Sequence, residues 1–235
     1  MASHAAGVAR LNRLGLRCKA EARYDEGRAH YERALALLIT RPAPDLDAIA
    51  TLYHNLGGIE HARGDYAAAE AFAGRGVALR AGLEGADPGD LAADRSALAA
   101  ILDGQGRYDE AEGLYREALR AFRRDPGARG WDIAVTLGNL GAQYARRGRL
   151  RGAARLLRRA ADLKAQVLGP GDPGVAVALN NLALTLLRMG EAGRAAALYR
   201  HAIGLLESSL GADHPWTLTC RANAGSALRP GVTPP

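Results

Sequence analysis

Apolar residues recur every three or four positions along most of the chain, which is the spacing of one face of an α-helix. From Leu179 to Leu187, apolar side chains stand at positions 179, 182, 186 and 187, and Gly190 ends the run. A second periodic run then carries Ala195, Leu198, Tyr199, Ala202 and Leu206. A glycine at the end of a helix can adopt the left-handed conformation that closes it. The pattern therefore predicts two helices joined by a short turn.

This pair of helices repeats along the chain with a period of 42 residues. The glycines that close the first helix stand at Gly64, Gly106, Gly148 and Gly190. Small residues in the second helix keep the same spacing, at Gly27, Ala69, Ala111, Ala153 and Ala195. Connectors that contain proline separate several units, for example Glu84–Asp90 and Gly169–Gly174. Because helix pairs of this kind bury their apolar faces against neighbouring units, the period predicts a stacked repeat protein.

The repeated residues resemble the tetratricopeptide repeat pattern, which has two antiparallel helices per unit. The resemblance rests on Leu140, Gly141, Tyr144, Gly148, Ala153 and Ala160. The connector Leu210–Pro215 and the 42-residue unit resemble the kinesin light chain subclass, since the usual unit has 34 residues. The resemblance implies an all-α, right-handed α-solenoid of five helix pairs with a C-terminal capping helix.

The period also divides the chain. We expect a single solenoid domain over residues 1–228 and a disordered tail over 229–235. The expected repeats are approximately 8–48, 49–90, 91–132, 133–174 and 175–216, and the capping helix is expected over 217–228.

Asparagines recur at one position of the first helix. They stand at Asn55, Asn139, Asn181 and Asn223, while Arg13 and Ala97 occupy this position in the other units. In the tetratricopeptide repeat family the first helices line a concave groove. The resemblance therefore places these asparagines in the groove together with neighbouring polar residues. The candidate groove residues are Arg13, His54, Asn55, His61, Asn139, Arg146, Asn180, Asn181, Arg188 and Asn223.

An asparagine amide donates and accepts hydrogen bonds at once. A row of such amides, here called the Asn ladder, can hold the main chain of an extended peptide with little regard to its side chains. Basic neighbours such as Arg146 and Arg188 favour acidic or carboxylate-bearing segments. The alternative is that the amides bond across the helix stack and only maintain the repeat geometry. The sequence leaves both roles open.

Composition narrows the function further. The net charge is +6, yet Lys19 and Lys164 are the only lysines, so the basic residues are almost all arginine. That bias matches GC-rich codon usage and does not by itself indicate nucleic-acid binding. Aromatic residues make up only 5% of the chain, which leaves few side chains for base stacking. The apolar runs are also far shorter than the ~20 residues that a membrane helix needs.

The sequence shows no constellation for catalysis or metal binding. It has no phosphate-binding glycine loop. His54 and His61 are seven residues apart on one helix, a rise of ~10 Å that is too long for one metal ion. The two cysteines have no metal-ligand spacing. We therefore expect a cytoplasmic protein that is not an enzyme and that uses no cofactor or metal.

These observations predict a non-catalytic protein–protein interaction module or scaffold that binds an extended peptide in the concave groove. The expected partner is a protein or peptide of acidic character, with no membrane contact, and the expected oligomeric state is a monomer or weak dimer. One alternative is a structural scaffold that self-associates through its convex face or its ends. A less favoured alternative is an arginine-driven nucleic-acid binder.

Overall fold

The computed structural model describes residues 2–124 and 129–227, and all regular secondary structure within these ranges is α-helical. The helices are α1 (Ala2–Ala20), α2 (Tyr24–Ile39), α3 (Leu46–Arg63), α4 (Tyr66–Ala81), α5 (Pro88–Gly104), α6 (Tyr108–Phe122), α7 (Gly130–Arg146), α8 (Leu150–Leu168), α9 (Pro173–Arg188), α10 (Ala192–Leu210) and α11 (Pro215–Ala227). The expected tail, residues 229–235, and residue 228 of the expected cap lie outside the described residues.

The chain forms two compact units, Met1–Ala121 and Phe122–Pro235. Within the units, consecutive helices pack as antiparallel pairs: α1 with α2, α3 with α4, α7 with α8, and α9 with α10. First helices also contact the first helix of the next pair, as α3 contacts α5 and α9 contacts α11. The predicted all-α class built from successive helix pairs is confirmed. The exact repeat boundaries and the extent of a single domain stay predictions.

Glycines with positive φ close the first helices. The φ angles of Gly64, Gly106, Gly148 and Gly190 lie between 74° and 82°, a region that side chains with a Cβ atom rarely occupy. In the first repeat, Ala22 stands at the equivalent position and adopts a φ of 56°. The backbone turn is therefore kept even where glycine is absent.

The proline connectors start the next helices. Asp87 and Asp172 cap α5 and α9, and each is followed by a proline at the first helical position. The Oδ1 atom of each aspartate accepts a 2.7 Å hydrogen bond from the backbone N–H of the glycine two residues later. His214 has the same place before α11, where its Nδ1 atom accepts a 3.2 Å hydrogen bond from the backbone N–H of Trp216. These caps satisfy backbone donors that a helix start leaves unpaired.

Small residues let the paired helices approach closely. A methyl group on Gly57 of α3 would lie 3.2 Å from both the carbonyl oxygen of Ala69 and the Cβ atom of Ala73 on α4. In the second unit, α11 adds Cys220 and Ala224 to the core that α9 and α10 form. The cores thus consist mainly of alanine, leucine and a few tyrosines, as the low aromatic content requires. Among the described residues, no helix is both long and apolar enough to cross a membrane.

Candidate functional site

The predicted site residues all lie on the first helices of the pairs. We call the surface formed by these residues the first-helix face, and we describe it separately for the two units. In the first unit it comprises Arg13 on α1 and His54, Asn55 and His61 on α3. In the second unit it comprises Asn139 and Arg146 on α7, Asn180, Asn181 and Arg188 on α9, and Asn223 on α11.

Asparagines of neighbouring first helices bond to each other. In the second unit, Nδ2 of Asn223 on α11 donates a 3.0 Å hydrogen bond to Oδ1 of Asn180 on α9. The Nδ2 group of Asn180 donates in turn to Oδ1 of Asn181, at 3.3 Å. All three residues are half-buried. Each amide therefore has one or two of its hydrogen-bonding groups occupied within the protein.

The first unit contains the same kind of pair. The Nδ2 group of Asn55 on α3 donates a 2.8 Å hydrogen bond to Oδ1 of Asn12 on α1. The neighbouring Arg13, which we expected at this position of the ladder, is exposed. Both bonds between helices join residues 43 positions apart, one more than the repeat period. The sequence prediction missed Asn12 because it assigned the neighbouring Arg13 to the ladder position of the first unit, whereas Asn12 occupies the position of Asn180.

Asn139 differs from the other asparagines of the ladder. It is half-buried on α7, and its side chain makes no hydrogen bond to any residue that the structure describes. Its amide therefore keeps two donors and two acceptor lone pairs for an external group or water. Within the described part of the chain, none of the hydrogen-bonding groups of this amide is occupied.

His54 belongs to a buried polar network. Its Nδ1 atom lies 2.9 Å from Oδ1 of Asp94 on α5, and Nε of Arg80 on α4 donates a 2.7 Å hydrogen bond to Oδ2 of the same carboxylate. Arg80 is only 3% exposed and also bonds Thr51, at 3.0 Å, and Asp47. Because buried charges need such partners, the network ties α3, α4 and α5 together and fixes the ring of His54.

His61 and Lys19 lie next to each other on the first-helix face of the first unit. Burial lowers the pKa of His61, and the nearby charge of Lys19 lowers it further. Burial also lowers the pKa of Lys19. A methyl group on Gly58 would lie 2.6 Å from Nζ of Lys19, so this glycine leaves room for the lysine to pack against α3. His61 also contacts the ring of Tyr66 edge-on, at 5.6 Å between ring centroids.

The arginines of the second unit differ in their surroundings. Nη1 of Arg188 donates a 2.7 Å hydrogen bond to the carbonyl oxygen of Ala145, close to the C-terminal end of α7. A cation at a helix C-terminus is favourable because the negative end of the helix dipole lies there. Arg146 is exposed on the same helix end. Arg188 thus links α9 to α7, and among residues 2–124 and 129–227 its other N–H groups have no acceptor.

A family model described as tetratricopeptide repeat matches residues 7–82, 49–124 and 132–208, which together span most of the chain. The chain belongs to the tetratricopeptide repeat (TPR) family. No curated protein matches the sequence closely enough to count as a relative.

Solved structures with the same fold support this assignment. BtubC (BKLC) from P. vanneervenii has 22% identity and a TM-score of 0.68, over 91% of this chain and 92% of that chain. A Podosopora anserina structure of nearly identical TPR-like repeats of the kinesin light chain kind has 17% identity and a TM-score of 0.62, over 86% and 95%. The fold of this TPR protein is thus similar to that of kinesin light chain-like repeats.

A third similar structure was determined with a peptide. The Rap conjugation gene regulator of plasmid pLS20, in complex with the Phr* peptide, has 17% identity and a TM-score of 0.78. The match covers 93% of this chain and 57% of that chain. At this identity the likeness concerns the fold alone.

Within the described residues of this TPR protein, no group of three or more histidine, cysteine, aspartate or glutamate side chains is placed to hold a metal ion. Cys18 and Cys220 are free thiols and both are buried. The polar groups of the first-helix face are therefore amides, imidazoles and guanidinium groups suited to hydrogen bonding.

Proposed function

We propose that this chain, as a member of the TPR family, is a protein-interaction module. We propose that its first-helix face binds an extended peptide segment of a protein partner, with asparagine amides holding the peptide main chain. The observation that carries the proposal is the half-buried amide of Asn139, which has no hydrogen-bond partner among the described residues. A half-buried amide of this kind gains most from a ligand that supplies both a donor and an acceptor.

The spacing of the helices suits an extended chain. Packed helices lie ~8–10 Å apart, and an extended peptide advances ~3.3 Å per residue. One rung on each first helix would therefore meet every second or third peptide residue. In the second unit, Asn139 on α7 and Asn181 on α9 supply two such rungs. The Asn180–Asn223 bond would hold α9 and α11 in the register that the peptide needs.

The basic residues give the proposed groove a preference for acidic peptide segments. Arg146 and Arg188 lie at the ends of α7 and α9, where guanidinium groups can pair with carboxylates. Arg13 offers a similar exposed group on α1 in the first unit. We therefore propose a partner segment that carries aspartate, glutamate or a C-terminal carboxylate. The peptide bound by the Rap regulator, which shares this fold, also supports a peptide ligand.

The proposal is tested by affinity capture from an extract of the native cells. Wild type is compared with the double variant Asn139→Ala/Asn181→Ala, and the matched control is Arg200→Ala/His201→Ala on the exposed surface of α10. Thermal unfolding of all three proteins is measured first. We expect one partner that the wild type and the control retain and that the asparagine variant loses.

Two outcomes would contradict the proposal. A partner held equally by all three proteins would move the binding surface away from the first-helix face. A large fall in the unfolding temperature of the asparagine variant would show that these two amides are structural.

A further inference from the structure

Four arginines form a stripe on the second helix α8. Arg151, Arg155, Arg158 and Arg159 stand at spacings of four, three and one residues, so they share one side of the helix. All four are exposed, and none makes a hydrogen bond or ion pair with the described part of the chain. Their guanidinium groups are therefore available to an external anion.

A cavity of about 600 Å³ lies beside this stripe. Its floor is apolar and consists of Ala154 on α8, Leu186 near the end of α9 and Met189 in the following turn. The four arginines and Arg194 line its rim. Volumes of this order are typical of sites that take up a compact ligand or side chain.

The acidic groups at the cavity do not neutralise the rim. Glu191 bonds Arg194, so this pair is balanced internally. Asp162 is the one carboxylate within α8, and it stands among five basic residues of that helix. The rim beside Arg155 and Arg159 therefore keeps an excess of positive charge.

The stripe is a property of this repeat and not of second helices in general. The equivalent positions of α4 carry Ala67, Ala71, Gly74 and Arg75. The equivalent positions of α10 carry Gly193, Ala197, Arg200 and His201. If the arginines reflected only codon usage, they would be spread along the chain. Codon usage would not place four of them around one cavity.

We propose that this α8 arginine cavity is a second docking site, which binds an acidic segment of a protein partner. An apolar side chain of the segment enters the cavity over Leu186 and Met189, and flanking carboxylates pair with Arg155 and Arg159. Guanidinium groups form bidentate hydrogen bonds with carboxylates, which the ammonium group of lysine cannot do. The apolar floor contributes by removing the anchoring side chain from water.

A protein segment fits this surface better than a nucleic acid. Binding of single strands relies on aromatic side chains on which bases stack, and the lining of this cavity contains none. The site lies on a second helix and uses none of the asparagines of the first-helix face. The two proposals can therefore be tested independently, and failure of one does not contradict the other.

The probe is a short fluorescein-labelled peptide that carries glutamates on both sides of a single leucine. Its binding to the full chain is measured by fluorescence anisotropy at physiological ionic strength. Three further probes are a peptide with glutamine for glutamate, a peptide with alanine for leucine, and a single-stranded DNA oligonucleotide of equal charge. We expect the leucine–glutamate peptide to bind most tightly of the four.

The decisive variant is Arg155→Gln/Arg159→Gln, and the matched control is Arg10→Gln/Arg17→Gln. The control removes the same charge from another exposed arginine-lined cavity, of about 350 Å³, on α1. We expect the α8 variant to weaken peptide binding by about tenfold or more, since charge-assisted hydrogen bonds are lost. The control variant should leave the affinity within about twofold, as expected for distant surface charge.

A floor variant separates specific docking from general attraction. Met189→Ser should lower the affinity for the leucine peptide and leave the affinity for the alanine peptide unchanged. Absence of peptide binding to wild type, equal losses in the α8 and α1 arginine variants, or tighter binding of the DNA would each overturn the proposal.

Discussion

Asn223 on α11 and Asn180 on α9 form a 3.0 Å side-chain hydrogen bond between helices of successive repeats. Asn55 and Asn12 form the equivalent bond between α3 and α1. The ladder therefore contains two kinds of rung in the described structure. Paired asparagines fix one first helix against the next, while Asn139 has its whole amide available.

The first prediction separates these two kinds of rung. Asn180→Ala removes hydrogen bonds to Asn223 and Asn181 and should lower the free energy of unfolding by about 0.5–1.5 kcal/mol for each bond lost. Asn139→Ala should change it by no more than about 0.5 kcal/mol, as at other sites without a special interaction. Urea unfolding followed by circular dichroism measures both. Equal losses in the two variants would show that Asn139 is also structural.

Ala22 provides a test of the turn that closes the first helix. Its φ of 56° is unfavourable for a residue with a Cβ atom. Ala22→Gly should therefore raise the free energy of unfolding by about 0.5–1 kcal/mol. Gly64→Ala, at the equivalent position in the next repeat, should lower it by about 1–2 kcal/mol. Thermal unfolding is measured for the two variants and the wild type. A shift of both unfolding temperatures in the same direction from wild type would refute this account.

Gly57 packs closely against the backbone of α4, at the carbonyl oxygen of Ala69 and the nitrogen of Ala73. Gly57→Ala forces α3 and α4 apart and should lower the free energy of unfolding by about 1–3 kcal/mol. Gly74 on α4 is a matched control, because a methyl group there meets nothing within 4 Å. Gly74→Ala should stabilise the helix by about 0.5–1 kcal/mol. Chemical denaturation of the two variants measures both changes. An unchanged free energy of unfolding in Gly57→Ala would contradict the prediction.

Removing one partner of the buried ion pair should be costly. Arg80→Met leaves Asp94 buried without its guanidinium and should lower the free energy of unfolding by about 3–5 kcal/mol. Arg75→Met, on the exposed surface of the same helix, should change it by no more than about 0.5 kcal/mol. The double variant Arg80→Met/Asp94→Leu should lose less of the free energy of unfolding than Arg80→Met alone, since no buried charge is then left unpaired and Asp47 is exposed. Urea unfolding measures all three variants. A larger loss of unfolding free energy in the double variant than in Arg80→Met would contradict this prediction.

His61 should make stability depend on pH. Its pKa in the folded protein lies below the ordinary value of 6.5 because the ring is buried near Lys19. The unfolded chain therefore binds more protons in this range, and the folded state loses stability as the pH falls through 6.5. His61→Gln should remove this part of the dependence. Unfolding free energies measured from pH 8 to pH 5 would contradict the account if the variant and wild type had the same slope.

The fold could be predicted because its determinants are local and repeat. Gly64, Gly106, Gly148 and Gly190 each close a helix at the predicted place, since only glycine adopts this turn without strain. Ala22 could not be foreseen as a left-handed residue, because alanine carries no such signal. There the N–H of Arg23 donates a 2.8 Å hydrogen bond to the carbonyl oxygen of Cys18, which closes α1 without a glycine.

The site was less predictable because its contacts join different elements. The Asn12–Asn55 bond depends on the offset between neighbouring helices, which adds one residue to the sequence period. Asp94 and Arg80 are 14 residues apart on different helices, and no short motif links them to His54. A search at a spacing of 43 could have found the asparagine pairs. The buried network needed the three-dimensional structure.

The central claim is that the amides of the first-helix face hold a peptide by its main chain. The most direct measurement takes the peptide segment of the captured partner and compares backbone N-methylation with alanine substitution at each of its positions. The account predicts that N-methylation at every second or third residue weakens binding by about 2- to 12-fold per lost hydrogen bond. Most alanine substitutions should have a smaller effect, and Asn139→Ala should abolish the sensitivity at one N-methylated position. Binding that depends on side-chain identity and tolerates N-methylation throughout would contradict the claim.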